Sequence, residues 1–421
     1  MQDPNTYKLL TPGPLTTSLT VRTEMLVDRC TWDKDYKDMT QEVRSSLLEL
    51  AHADPKDYTT VLMQGSGTFG VESVLSSIPG ENDCVLVLVN GAYTERMCQI
   101  LTYHRIHFKR LDFAWDSIPD AKEVEEFLKV NPDVTMVAMV HSETTTGILN
   151  DIAAIGTVVK AAGKTFIVDA MSSFGGVDIN VPKIGIDFLV SSANKCIQGV
   201  PGFSFIIARI EKLQASKGNT RSLSLDLYDQ WRVMEKDGGK WRFTSPTHVV
   251  AAFHRAISEL KEEGGIAVRN ARYAKCNQML RDGMKELGFE AYIDASKSGY
   301  RPDMVVTADD TNGFGRPWPY MVFENMRRLG LQDVRRIVKV GDTVSDMREG
   351  KNAGLIAVGV VEGSSIIGLD KASWDKLSDM DRFALRKKAR ETFFANGADF
   401  VIDTIGELPG LIEAIEKGER A

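Results

Sequence analysis

The sequence predicts an α/β fold, and three features carry that expectation. Apolar runs of strand length recur along the chain. They are apolar without alternation, as strands covered on both faces are. Helix-like segments separate several of them, the pattern of a sheet with helices packed on each side. The runs are Asp83–Val89, Val134–His141, Thr165–Asp169, Phe188–Ser192 and Phe203–Ala208, read as parallel strands, with helices over Ala121–Val130 and Asp151–Ala162.

The remaining elements follow from local chemistry. Gly65-Ser66-Gly67-Thr68 opens a helix over Phe69–Ser77, because hydroxyl residues satisfy the amides left unpaired at a helix start. Asp169 and His141 stand at the carboxyl ends of their strands, where functional groups gather in open α/β sheets. Thr247–Leu287 reads as two amphipathic helices broken at Gly264-Gly265. Asp294–Gly299 is small and polar, like a junction. Beyond it, Ile337–Val340 is a strand ending in Gly341-Asp342, and Leu355–Val361 is another. Helices over Trp318–Leu329 and Asp346–Ala353 flank them, so a second, shorter α/β unit follows the first.

Composition narrows the function classes. The chain has 421 residues, 43% hydrophobic and 26% charged, enough for two or more domains with their own cores. A net charge of −7, spread along the chain, argues against a nucleic-acid partner. The five cysteines are widely spaced and form no CxxC pair, which argues against a disulfide framework or a zinc motif and fits a reducing cytoplasm. Met1-Gln2-Asp3-Pro4 begins no secretion signal, and Val85–Val89 is far too short to span a bilayer, so no membrane partner is expected.

Four residues or motifs carry chemistry. Lys195 follows the strand Phe188–Ser192, and Asp169 ends the strand Thr165–Asp169. Ser66-Gly67-Thr68 starts a helix, and Tyr93 lies just past a strand. Each alone has an ordinary reading: a solvated lysine, a helix cap, a turn, a core aromatic. Together, in this order, they meet the demands of pyridoxal 5′-phosphate (PLP). Its aldehyde needs a lysine amine, its ring nitrogen a carboxylate, and its phosphate the amides of a helix start. Its ring face takes an aromatic partner.

The chain from about Tyr7 to about Asp294 resembles the 2-aminoethylphosphonate–pyruvate aminotransferases, a family of fold-type I PLP enzymes. The likeness rests on Leu10–Thr17, Cys30–Asp33, Gln64–Thr68, Met139–Gly147, Ile167–Gly176, Ser191–Phe203, Arg221–Leu227 and Lys240–Thr247. It implies that Lys195 forms the Schiff base with PLP and moves the substrate's α-proton. It implies that Asp169 pairs with the ring nitrogen and that Ser66, Gly67 and Thr68 hold the phosphate. Tyr93 would stack on the ring, Thr145 would touch the ring hydroxyl, and Thr244 would reach the phosphate of a neighbouring subunit. A homodimer with shared active sites follows, with 2-aminoethylphosphonate and pyruvate as small-molecule substrates.

The family continues into a small C-terminal domain with a Phe-Arg-Ile-Gly-Asn-like segment, whose arginine is expected to bind the substrate anion. No such segment occurs here. Arg29 and Arg242 are candidates to replace it, since a guanidinium meets a phosphonate in two bonds; a surface or interface charge is the other reading of both. From Gly299 to about Leu411 the chain instead resembles phosphonoacetaldehyde hydrolase, of the haloacid dehalogenase superfamily. That likeness rests on Gly299–Thr307, Gly315–Pro319 and Lys339–Met347. It implies a partial Rossmannoid α/β unit in which Asp342 and Asp346 hold Mg²⁺ and Arg316 meets the substrate anion. The superfamily's nucleophilic aspartate and the cap-domain lysine have no counterpart here, so no hydrolase activity is expected from this chain alone. The expected organisation is therefore an aminotransferase domain over 1–294, a junction over 295–298 and a hydrolase fragment over 299–421. Two readings stay open: a working transaminase, or a fusion remnant that binds PLP without turnover.

Overall fold

The computed structural model describes residues 9, 11–286, 311, 313–369, 374 and 376–417. The expected junction and the stretch 299–307 lie outside them. By its internal contacts the chain divides into one unit over Met1–Glu290 and another over Ala291–Ala421.

The first unit opens with α1 (Leu19–Thr23), α2 (Lys34–Leu50), β1 (Tyr58–Gln64), α3 (Gly67–Ser77), β2 (Val85–Val89), α4 (Ala92–Tyr103) and β3 (Phe108–Asp112). It continues with α5 (Ala121–Val130), β4 (Met136–Val140), β5 (Ser142–Glu143), β6 (Ile148–Leu149), α6 (Ile152–Ala161), β7 (Thr165–Asp169) and α7 (Val181–Ile184). It closes with β8 (Phe188–Ser192), β9 (Phe203–Arg209), α8 (Ile210–Ala215), α9 (Leu227–Lys236), α10 (Thr247–Glu263) and α11 (Gly265–Glu286). The sheet order is β1-β9-β8-β7-β4-β2-β3. The Val-Leu-Val-Leu-Val run of β2 is buried at every position, as are β4, β7 and β8. A strand with helices on both faces has no use for alternation.

One expectation is corrected. Phe203–Ala208 was expected to run parallel; as β9 it runs antiparallel to both β8 and β1. The cause is the connection. Residues 193–202 are fewer than the dozen or so that a parallel crossover needs, so the chain can only turn back. Lys195 sits on that turn. Strands β1 and β3 are additions to the expected set. The edge strand β3, Phe-Lys-Arg-Leu-Asp, is only half-buried and carries charge, so it lacks the apolar run that marks its neighbours.

Helix caps follow the sequence. Asp120 accepts from Lys122 N and Glu123 N at the start of α5, and Asp151 from Ala153 N and Ala154 N at the start of α6. Gly264 ends α10 with a φ of +107°, a left-handed conformation that glycine takes without strain. The break expected at Gly264-Gly265 is thus a helix cap.

The second unit contains α12 (Tyr320–Leu329), β10 (Val338–Gly341), α13 (Val344–Ala353), β11 (Ile356–Val360), α14 (Asp379–Ala395), β12 (Phe400–Ile402) and α15 (Leu408–Glu416). Its strands are parallel in the order β10-β11-β12. Val358, Val360, Ile402 and Leu411 pack on one side, and Met347, Ala357, Val361, Ala389 and Phe393 on the other. Among the described residues, no helix is long and apolar enough to cross a membrane.

Candidate active site

Strands β2, β4, β7 and β8 are parallel, so their carboxyl ends share one edge of the sheet. Asp169 ends β7 there. It is 3% exposed, and its Oδ1 accepts a 2.8 Å hydrogen bond from Met171 N. Burial pushes its carboxyl up to about 6; the Met171 amide and the charges of Lys195 and Arg96 pull it back, and the Glu143 carboxylate adds to the rise.

Lys195 lies on the β8–β9 turn, half-buried, with Nζ 3.3 Å from the carbonyl oxygen of Pro12. Burial lowers its ammonium below the ordinary lysine value, and the charge of Asp169 opposes the fall. Gly13 lies against this side chain. A Cβ on Gly13 would come within 2.6 Å of Lys195 Cδ and 2.7 Å of Nζ, so a larger residue there would have to push the Lys195 side chain aside.

Gly67 and Thr68 of the helix start reach Asp169 together with Tyr93. Gly67, Thr68, Tyr93, Arg96, Asp169 and Met171 line one cavity, whereas Ser66 and Lys195 do not line it. A Cβ on Gly67 would sit 2.4 Å from Met171 Sδ, so a larger residue there would have to displace the Met171 side chain. Ser66 stands at the N-cap position of α3 but makes no side-chain cap bond, which leaves its hydroxyl and the first amides of the helix to another acceptor. Arg96 was not among the residues expected from sequence. Its guanidinium stacks 4.9 Å from the Tyr93 ring centroid and donates to Thr68 Oγ1 at 3.4 Å. Its spacing from Tyr93, three residues along α4, was the available signal.

The Ser142–Gly147 turn supplies a second group. Glu143 is fully buried and its Oε1 accepts from Thr145 N and from the Thr145 hydroxyl. Thr145 therefore spends its hydroxyl on Glu143. Thr144, one residue earlier, has its hydroxyl 2.6 Å from that of Ser172, on the loop after Asp169. Gly91 abuts Glu143; a Cβ there would meet the carboxyl carbon at 2.4 Å. Burial drives His141 down to about 4, so it is neutral at neutral pH, and its Nδ1 has no hydrogen-bond partner among the described residues.

Other expected residues lie apart. Arg29 pairs with Glu24 at 2.8 Å and donates to the carbonyls of Glu24 and Val27. Arg242 pairs with Asp229 at 3.2 Å and donates to Leu223 O at 2.5 Å. Both guanidiniums hold local structure within this chain. Thr244 is exposed and lines a separate concavity of about 300 Å³ with Gly65, Phe69 and Trp241. A larger concavity of about 420 Å³ lies between α2, β1 and α9, where Arg44 and Glu235 are spent on each other.

In the second unit, Asp346 is buried and Asp342 is exposed. Asp346 accepts from Thr343 Oγ1 at 2.6 Å and Arg316 Nη1 at 2.6 Å, and pairs with Lys339 Nζ at 3.1 Å. Burial raises its carboxyl, but the Thr343 and Lys339 hydrogen bonds and the Lys339 and Arg316 charges outweigh it and hold the group below the ordinary aspartate value. It also completes a capping box with Thr343 at the start of α13.

The first unit's donor set fits PLP: an amine on Lys195, a buried acid on Asp169, an open helix start beside an arginine, and an aromatic face on Tyr93. Comparison with known proteins agrees. A family model described as Aminotransferase class-V matches residues 28–309. Over 287 residues the chain is 58% identical to a 2-aminoethylphosphonate–pyruvate transaminase of Lysinibacillus sphaericus, covering 68% of this chain and 78% of that protein. Over 349 residues it is 54% identical to the transaminase of the same name from Bacteroides fragilis, covering 80% of this chain and 94% of that protein. Among solved structures, the fold matches ureidoglycine–glyoxylate aminotransferase from Bacillus subtilis, with a TM-score of 0.62 at 22% identity over 69% of this chain and 74% of that one. It also matches pyridoxamine–pyruvate aminotransferase from Mesorhizobium loti, with a TM-score of 0.62 at 23% identity over 68% of this chain and 73% of that one.

Proposed function

The chain belongs to the class-V aminotransferases, and on that premise we propose that it transfers the amino group of 2-aminoethylphosphonate to pyruvate, giving phosphonoacetaldehyde and L-alanine. The observation that carries this reading is the identity of 58% and 54% to transaminases of that name over the part of the chain that holds the site.

When bound, PLP supplies an electron sink that lets an amino group pass between carbon atoms. The chain supplies the rest. Lys195 Nζ, its basicity trimmed by burial, takes the proton from the carbon that bears the amino group and returns it to the product. Asp169, buried at the end of β7, offers its carboxylate to the proton of the ring nitrogen. Ser66, Gly67 and Thr68 present helix-start donors to the phosphate, and Arg96 adds a positive charge beside them. Tyr93 covers one ring face. Thr144 and Thr145 sit together on the turn that faces the ring hydroxyl in this reading; Thr144, paired with Ser172, is the one next to the Asp169 loop. Thr244, exposed on the same chain, serves the phosphate of a second copy in a homodimer. Cysteines that are all free support a cytoplasmic location.

A second reading has one observation in its favour: Arg29 and Arg242 are bound to Glu24 and Asp229, so the anion contact expected of them is lacking. The chain would then bind PLP without turnover. We read the second unit as a haloacid dehalogenase-like fragment, supported by three parallel strands with Asp342 just past the end of β10. Mg²⁺ at Asp342 and Asp346 belongs to that reading, and the Asp346 contacts to Lys339 and Arg316 weigh against it. One mixture tests the main reading: purified protein, PLP, 2-aminoethylphosphonate and pyruvate. Alanine formation is expected. Bound cofactor without alanine would reject the transaminase and leave the remnant.

A further inference from the structure

Away from the active site, Cys84, His107 and Asp133 come together at the amino ends of adjacent strands. Their ligand atoms, a thiol sulfur, a ring nitrogen and a carboxylate oxygen, all lie within 4.8 Å of one another. The sheet fixes this grouping. Strand β2 runs between β3 and β4, and Val85 pairs with Phe108 on one side and Met136 on the other. One residue earlier, Val85 N donates to His107 O at 3.1 Å, and Cys84 O accepts from Thr135 N at 2.9 Å. The backbones of Cys84 and His107 are therefore held by sheet hydrogen bonds, and Asp133 lies on the turn two residues before Thr135.

Thiolate, imidazole and carboxylate together suit a borderline divalent cation such as Zn²⁺ or Co²⁺, while Mg²⁺ and Ca²⁺ prefer oxygen alone. Bonds of about 2.0–2.3 Å in a tetrahedron put ligand atoms roughly 3.3–3.7 Å apart, so these groups need to draw together by about 1 Å. His107 Nε2 already lies 3.9 Å from Asp133 Oδ2. Lys109 takes the other oxygen: its Nζ donates to Asp133 Oδ1 at 2.8 Å and to Asn131 Oδ1 at 2.7 Å. That bond turns Oδ2 toward His107, while the ammonium charge opposes a second cation nearby. Cys84 is 1% exposed, but the side chains of His107 and Asp133 are 65% and 50% exposed, so a hydrated ion can enter from solvent.

We propose that Cys84, His107 and Asp133 form a surface site for a Zn²⁺-class divalent cation, with a fourth position left to water, at the sheet edge opposite Lys195. Occupancy would tie the starts of three strands together and stabilise the fold by mass action. Turnover would be unaffected.

The test is a titration of the cofactor-loaded protein with Co²⁺, following the d–d absorption of tetrahedral cobalt. About one Co²⁺ per chain is expected to bind. His107→Gln, at an exposed position, should weaken it by about tenfold or more, since losing even an outer partner of a ligand costs that much. Cys84→Ser should abolish it. Serine at the exposed Cys30 and Cys276 should leave it unchanged. Zn²⁺ should raise the melting midpoint of the native chain but not of His107→Gln. A native chain without tetrahedral absorption, or a His107→Gln protein that titrates like the native one, would overturn the site. So would binding that survives in Cys84→Ser.

Discussion

Asp169 holds its proton to a higher pH folded than unfolded, because burial raises its carboxyl to about 6 from 3.8. Between those values the native state binds the extra proton, so stability without cofactor falls as pH rises from about 4 to about 6 and stays lower above that. Asp169→Asn removes the cost. The cofactor-free variant should be more stable than the native chain at pH 7.5, by no more than about 3 kcal/mol, and the gap should vanish near pH 4. Urea midpoints at the two pH values measure this, and an equal gap at both would reject it. The same variant should bind PLP more weakly, since the ring nitrogen loses its acid. At Gly13, alanine would push against Lys195 and strain a backbone whose φ is +139°. Gly13→Ala should keep its circular dichroism and lose at least about tenfold in turnover, because small displacements of a reacting amine are costly. Lys195 and Asp169 could be singled out in sequence because one closely follows a strand, the other ends one, and each sits in a specific motif. Arg96 and Glu143 were not, because their importance comes from what α4 and the 142–147 turn bring beside them.

At the level of elements, Arg269 on α11 has a part that only packing reveals. It is 2% exposed, pairs with Glu263 at 2.7 Å, and donates to the carbonyls of Cys196 and Ile197 at 2.8 and 3.3 Å. Those carbonyls belong to the turn that carries Lys195. Arg269→Met keeps the bulk and leaves the acceptors unpaired, so a loss of about 2–4 kcal/mol is expected. A shift below 1 kcal/mol in urea unfolding would show that the turn does not lean on α11. Periodicity found the buried strands β2, β4, β7 and β8, since an apolar run needs no partner to be seen. It missed β1, whose first residues, Tyr-Thr-Thr, hide behind hydroxyls a strand buried at every position but its last. Strand direction was not legible either. The antiparallel course of β9 follows from the length of a connection, which only a sheet order makes meaningful.

For the whole molecule, the two units differ in what holds them. Among the described residues, the first surrounds a seven-stranded sheet with buried side chains on both faces, whereas the second shows three short strands and two small apolar groups. Buried apolar area scales with that difference, so the second unit should open first. Hydrogen exchange in rising urea should expose β10–β12 before β2–β8, and simultaneous exposure would reject independent units. Sequence reading expected a junction over 295–298 because Asp294–Gly299 is small and polar, and those residues lie outside the described ones. It gave no measure of how little core the second unit has, since α14 and β12 show no motif and become visible only when packed.

The contact between Pro12–Gly13 and Lys195 has a practical side. Pro12 and Gly13 lie against the Lys195 side chain, so a substitution in that short segment changes how the amine is reached. The native chain and Gly13→Ala should therefore differ in how fast an aldehyde reagent reaches Lys195, before either has met a substrate.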